Sequence, residues 1–233
     1  MQTAARKQIY AYFAFNQVLT VTLLLNQVAF SAETKDITLY LHNTHVQLPV
    51  KSWTSLRDAS VVKQDLDYSC GAASLATLLN GYYRQNVTEG ALLKAMHKGD
   101  AKASFDDMAR ALKGFGFQAK GFASSWEQLL KLKVPVIVYV RHRKEGHFAV
   151  LRGIGDRVVW LADPSLGNRT YSRAQFLELW KTRLSPEKDG LEGKFLAVLP
   201  MDPDTQVSHP FFSKFPRLQA SIGLRQLTRV WKE

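Results

Sequence analysis

The stretch KQDLDYSCGAASLATLLNGYY, residues 63–83, holds the single cysteine of the chain, Cys70, directly before a glycine and at the head of an apolar run. Ala72, Ala73, Leu75, Ala76, Leu78, Leu79 and Tyr82 recur at spacings of three and four, which puts one broad apolar face on a helix and predicts a core helix from Ser69 to about Tyr83. Ser69 is the expected N-cap, so Cys70 falls in the first turn. There the thiol lies among unpaired backbone N–H groups at the positive end of the helix dipole, and both favour the thiolate. Gly71, having no side chain, is expected to leave the sulfur approachable from outside. A lone thiol can pair between chains, rest inert in the core, or react, and its neighbours decide which.

Downstream of this helix, three more have start signals: Thr88 before EGALLKAMHKG, Ser104 with Asp107 before MARALKG, and Ser124 with Glu127 before QLLKLK. Gly99 and Gly114 are the expected stops. After Lys133 the period changes. VPVIVYV, HFAVLRGIG and RVVWLAD are β-rich runs separated by the turns RHRKEG and GD, followed by NRTYS, a short helix RAQFLELW begun by Ser172 with Gln175, and a closing strand KFLAVLP. Helices first and strands second argue for an α+β fold, with N-terminal helices packed on an antiparallel sheet.

With 233 residues, 46% of them apolar and 22% charged, the chain can bury a real core, and its length suits one domain with extensions. Residues 1–31 read as a secretory signal: Arg6 and Lys7 precede the apolar YAYFAFNQVLTVTLLLNQVAF, and Ala29 and Ser31 suit cleavage after Ser31. Asn16, Gln17, Asn26 and Gln27 break that apolar stretch, which argues against a permanent span. Residues 32–60 form an extension in which DITLYLH and HVQLPVK suit a strand pair, residues 61–200 the main domain, and 201–233 a basic tail. The tail's apolar positions Leu218, Ile222, Leu227, Val230 and Trp231, flanked by Arg225, Arg229 and Lys232, suit packing on the domain or contact with an anionic membrane surface. The net charge of +11 drops by two without the first 31 residues, and the basic excess first of all keeps a surface solvated. Nothing resembles a nucleic-acid-binding module.

A nucleophilic thiol requires a base. Of six histidines, His147 has the right setting: it opens a β run after Gly146, and the next strand ends at Asp163 before Pro164. If these two runs pair as a hairpin about GD, the start of one lies beside the end of the other, and residues sixteen apart become neighbours. A carboxylate holding one ring nitrogen leaves the other for Cys70. Gln64, six residues before the thiol, is placed for its amide N–H to meet an oxyanion that the Cys70 backbone N–H also contacts, a donor whose loss typically costs about 3 kcal/mol of transition-state stabilisation. Trp126, Tyr139 and Trp160 are candidates for lining a cleft, and the basic turn RHRKE before His147 reads as a solvated hairpin turn. No cofactor is implied, and no histidine spacing suits a zinc site.

The pattern Q-x5-C-G-A-A-x-L-A-T-L-L, followed by GHFAVLRGI and ADPSLGNR, resembles the papain-like peptidases that remove double-glycine leaders, best known as the N-terminal domain of bacteriocin-exporting ABC transporters. The resemblance covers residues 61–200 and implies a papain-like cysteine peptidase fold with Cys70 as nucleophile, His147 as base, Asp163 as its orienting partner and Gln64 as oxyanion donor. It further implies cleavage after Gly-Gly or Gly-Ala in an exported peptide or fibre subunit. Two departures stand out: many transporter-linked members carry aspartate where this chain has Ser69, and neither a transmembrane bundle nor G-x4-G-K-[ST] follows. The resemblance is therefore to stand-alone, exported relatives, of the kind that accompany fibre and amyloid secretion systems in a bacterial periplasm. Two other readings share the fold: a cleft that holds a secretion substrate without cutting it, and acyl transfer to an amine.

Overall fold

The computed structural model describes residues 34–41, 44–142, 145–184 and 189–218. The expected signal segment and the distal part of the tail lie outside these residues. Strands β1 (Thr34–Leu41) and β2 (Thr44–Lys51) pair antiparallel, with Thr34 opposite Lys51 and Leu41 opposite Thr44. This hairpin belongs to a compact unit that ends at Ser52, and the chain from Trp53 onward belongs to a second.

The second unit opens with four helices: α1 (Trp53–Arg57), α2 (Cys70–Gly81), α3 (Glu89–Met96) and α4 (Phe105–Leu112). The first of them is hidden in the sequence, having one short turn and no buried residue. Thr88 caps α3 through Ala91 N, and Ser104 and Asp107 form a reciprocal box at α4, both as the sequence predicts. Ser69 does not cap α2. Its hydroxyl turns back to donate to the Leu66 carbonyl at 2.8 Å, fixing the turn before the helix rather than its first N–H groups. Nor do the expected glycines end the helices: α3 closes on His97 in the left-handed region (φ 52°), and Gly116 (φ 80°) closes the 3-10 turn Lys113–Phe115 after α4.

The sheet follows as β3 (Phe117–Ser124), β4 (Val136–His142), β5 (Glu145–Ile154), β6 (Val158–Asp163), β7 (Gly167–Ser172) and β8 (Gly193–Pro200), all pairs antiparallel, in the order β3-β8-β4-β5-β6-β7. Helix α5 (Trp126–Leu130) follows β3, and α6 (Arg173–Trp180) follows β7. Strand β3 escapes a periodicity reading because it is an outer strand, largely exposed, with a lysine and a glycine at its centre. Its presence moves the α5 cap by one residue: Ser124 is the buried end of β3, and Ser125 with Gln128 forms the box. Strand β8 does not close the meander at its far end but inserts between β3 and β4.

Both faces of the sheet are covered, which is why VPVIVYV reads as an unbroken apolar run. Leu75, Leu78, Leu79, Leu92, Met108 and Leu112 cluster with Ile137, Phe148, Val150 and Leu196. Trp126, Leu129, Phe176 and Trp180 cluster with Val136, Val138, Val140, Ala149, Leu151 and Leu161. Each such buried side chain contributes roughly 1.5–3 kcal/mol of transfer free energy. The β5–β6 pairing runs out at Val150–Ala162, and beyond it α2 takes over the edge of β5: buried Ser74 Oγ donates to the Phe148 carbonyl at 3.1 Å. That bond holds the first turns of α2 against the strand that carries His147.

The last turn of α2 packs on the C-terminal segment, where a Cβ on Gly81 would fall inside the Phe211 ring. Glycine to alanine within a helix normally stabilises by about 1 kcal/mol. Here Gly81→Ala is expected to destabilise by ~1–3 kcal/mol through overpacking, and to lose that penalty in a Phe211→Ala background. Urea unfolding of the two single variants and the double variant checks both signs.

Candidate active site

Cys70, His147 and Asp163 reach one place from three elements. Cys70 is the first residue of α2 and 3% exposed. His147 lies near the start of β5, and Asp163 is the last residue of β6 and fully buried. Because β5 and β6 pair about Gly155–Asp156, the hairpin brings His147 Nε2 to 3.0 Å from Asp163 Oδ1. The same oxygen accepts the Ser165 and Leu166 backbone N–H groups at 2.8 and 3.0 Å. With Nε2 turned to the carboxylate, Nδ1 is the nitrogen left for the sulfur.

The electrostatics of the three groups agree with one another. Burial pushes the Cys70 thiol up, but the hydrogen bond from the His147 imidazole, the Phe148 backbone N–H and the charges of His147 and Lys102 together bring it below its ordinary value. Burial pulls the imidazole of His147 down, yet the hydrogen bonds to Asp163 and Cys70 and their charges raise it to about 9. Burial likewise opposes ionisation of Asp163, and the His147 imidazole with the Leu166 and Ser165 N–H groups holds it below the usual carboxylate range. The arrangement favours a thiolate beside an imidazolium at neutral pH, the charge state needed for nucleophilic attack with a proton ready for a leaving group.

Gln64 sits on the loop before α2, and its carboxamide bonds to neither Cys70 nor His147. Its Oε1 accepts from Ser165 Oγ at 2.7 Å, its Nε2 donates to the Leu66 carbonyl at 3.0 Å, and its backbone N–H donates to the Pro164 carbonyl at 3.1 Å. The loop of the thiol is thereby tied to the turn that follows Asp163. One amide N–H is engaged and the second is not used in these bonds.

Residues 58–188 match the sequence profile of the peptidase C39 family. The chain belongs to the peptidase C39 family. Two curated relatives, from Pseudomonas fluorescens and Pseudomonas aeruginosa, are described as "probable functional amyloid protease FapD" and are 37% and 35% identical over 138 residues. Each match covers 56% of this chain and 61% of the relative, so the chain spans less than two thirds of their length. The peptidase domain of Streptococcus ComA, a bifunctional ABC transporter of a quorum-sensing pathway, shares the fold with a TM-score of 0.51 at 20% identity, over 60% of this chain and 97% of that domain. The α+β architecture expected from the sequence is thus that of C39 peptidase domains.

Several details of the C39 site differ from the sequence reading. Gly71 does not open a path to the sulfur: it is buried, and a Cβ there would touch Ala103, Met108 and Phe148 at 3.4–3.5 Å, so it faces packed side chains. Trp126 is buried against Phe176 beneath the sheet, and Trp160 pairs with Arg152 and Asn168. Neither is placed to line a cleft with Cys70. Tyr139 packs on Phe148, the neighbour of His147, with its hydroxyl over Gly146, where any side chain would collide with it. Lys102, paired with Glu145 at 3.0 Å, is close enough for its charge to act on Cys70. The residue that the sequence reading passed over is His142. Strand β4 takes in Arg141 and His142, which the sequence gives to the turn, and the His142 ring lies edge-on to His147 with centroids 5.8 Å apart. Pairing Val140 with His147 and counting two residues onward along β4 is the signal that would have found it.

The raised His147 gives a stability signature. Its charged form is favoured in the folded state, so the contribution is complete below the ordinary imidazole value near ~6.5 and disappears as pH rises through about 9. The unfolding free-energy difference between wild type and His147→Ala is expected to be largest on the acid side and to fall, by pH ~10, to the pH-independent remainder left by packing and the neutral hydrogen bond. A difference that stays constant across urea titrations in this range would contradict the assignment.

Proposed function

We propose that the protein is an exported cysteine endopeptidase that cuts after a small residue, of the Gly-Gly or Gly-Ala type, in a secreted peptide or fibre subunit. One observation carries this reading: Asp163 holds His147 by Nε2, and the imidazole in turn lowers the thiol at the head of α2. The Cys70 thiolate adds to the scissile carbonyl, and the oxyanion is met by the Cys70 backbone N–H and the second amide N–H of Gln64. The His147 imidazolium gives its Nδ1 proton to the departing amine, leaving an acyl-thioester. Water, deprotonated by His147, then adds to the thioester and releases the acid and the thiol.

Support for a small residue at the cut comes from the burial of Cys70, 3% exposed, in the cluster that also holds Met108 and Phe148. A chain with bulky side chains at the bond would have to displace that packing. The fibre-subunit substrate is supported by the description of the two Pseudomonas relatives as functional amyloid proteases. Export is supported by the character of residues 1–31.

Iodoacetamide alkylation separates a reactive thiol from an inert one. Cys70 is expected to react at pH 5, and His147→Ala to abolish that reaction and leave only reactivity that rises near ~8.5. Gln64→Ala is expected to reduce turnover of a Gly-Gly peptide by about 10²–10³ while leaving alkylation unaffected, since displacement at iodoacetamide forms no oxyanion. A protein alkylated at pH 5 that cuts none of a panel of Gly-Gly and Gly-Ala peptides would favour holding a substrate over cutting it.

A further inference from the structure

The two oxygens of Asp163 are treated unequally. Oδ1 takes three donors, from His147, Ser165 and Leu166. Oδ2 is buried without any hydrogen-bond partner among the described residues, and so is His142 Nε2. These two orphan atoms are 3.9 Å apart. A buried carboxylate oxygen without a donor and a buried ring nitrogen without a partner are each costly, and a movement of about 1 Å turns this pair into a hydrogen bond.

We propose that His142 is a positioning residue for the catalytic carboxylate: its Nε2–H closes onto Asp163 Oδ2, so that Asp163 is clamped between two imidazoles and presents Oδ1 to His147. This rests on the Cys70–His147–Asp163 reading above. The topology favours it. Val140 pairs with His147, so His142 and His147 are diagonal neighbours on adjacent strands, and β6 ends beside them at Asp163. The titratable groups around His142 are Asp163 from β6, and His147 and the cross-strand Glu145 from β5, with Tyr171 of β7 feeling the Asp163 charge from farther along. Burial and the neighbouring His147 outweigh the attraction of Asp163 and keep His142 below its ordinary value. In this arrangement His142 is uncharged at neutral pH, and the contact with Asp163 Oδ2 requires its Nε2–H, not a charge.

Two variants separate the donor from the space it fills. His142→Phe keeps a ring and deletes the N–H, and His142→Gln places an amide N–H at similar reach. The Phe variant is expected to lose kcat about ten-fold with KM unchanged, and its acid limb of Cys70 alkylation is expected to move to higher pH, because a carboxylate lacking that donor takes up a proton more readily. The Gln variant is expected to keep both near wild type. Wild-type profiles in both variants, or equal impairment in both, would overturn the inference. Imidazole-nitrogen NMR of the Cys70→Ala protein gives a reading independent of thiol reactivity: His142 is expected as the Nε2–H tautomer with an exchange-protected proton, and an Nδ1–H tautomer would overturn the proposal whatever the thiol does. A wild-type Cys70 that fails to react at pH 5 counts against the peptidase reading instead.

Discussion

The carboxylate of Asp163 is fully buried, and the rest of the site depends on keeping it ionised there. Burial opposes its charge, so the charge survives only where donors converge on it. Those donors come from the turn Asp163–Pro164–Ser165–Leu166, whose N–H groups fold back on Oδ1, and from the imidazole of His147. Gly167 closes that turn in the left-handed region at φ 80°, packed so tightly on Arg57 and Asp58 that no side chain fits. Lys63 and Gln64 bond to the same turn, at the Ser165 carbonyl and hydroxyl. One short segment thus orients the His147 imidazole and anchors the loop that leads to the thiol.

How far the sequence discloses this depends on how local each relation is. The α2 helix is readable because apolar residues recur at helical spacing along it, although the fold buries every residue from Cys70 to Leu79 and not one face alone. The His147–Asp163 pair is readable because a two-strand hairpin converts a sequence separation into a spatial contact without help from the rest of the chain. Strand β3 is not readable, since an outer strand with exposed Lys120 and Phe122 lacks the alternation that burial of one face imposes. The place of the tryptophans is not readable for a similar reason: aromatic content does not say which face of the sheet a side chain meets, and Trp126 is taken up by the core with Phe176 of α6. Gly71 illustrates a subtler limit. An absent side chain is compatible with open access and with close packing alike, and only the neighbours distinguish them.

Arg152 shows how the fold ties its distant parts together with no ion pair to the guanidinium among the described residues. In HFAVLRGIG it looks like a charge that should face water, yet it is buried, and burial lowers it to about 10. Its guanidinium lies between the rings of Trp160 and Phe211 at 4.4 and 4.1 Å and donates to the carbonyls of Ala59 and Phe211 and to Asn168 Oδ1. Stacking and carbonyl oxygens stand in for a carboxylate, an environment that suits guanidinium and would suit lysine poorly. Through it, the segment before the thiol loop, strand β7 and the C-terminal turn share one anchor.

The insertion of β8 between β3 and β4 bears on how the molecule is made. Chains are synthesised from the N-terminus, and the strand that completes the interior of this sheet is the last to emerge. Until it arrives, β3 has no partner and β4 presents a bare apolar edge, the condition that invites pairing with other chains. Joining them requires contacts across some eighty residues of sequence, from Phe117 to Pro200, a topology of the kind that folds slowly. A nascent chain cut short before Gly193 would therefore carry every residue of the candidate site and still lack the strand that makes its sheet continuous.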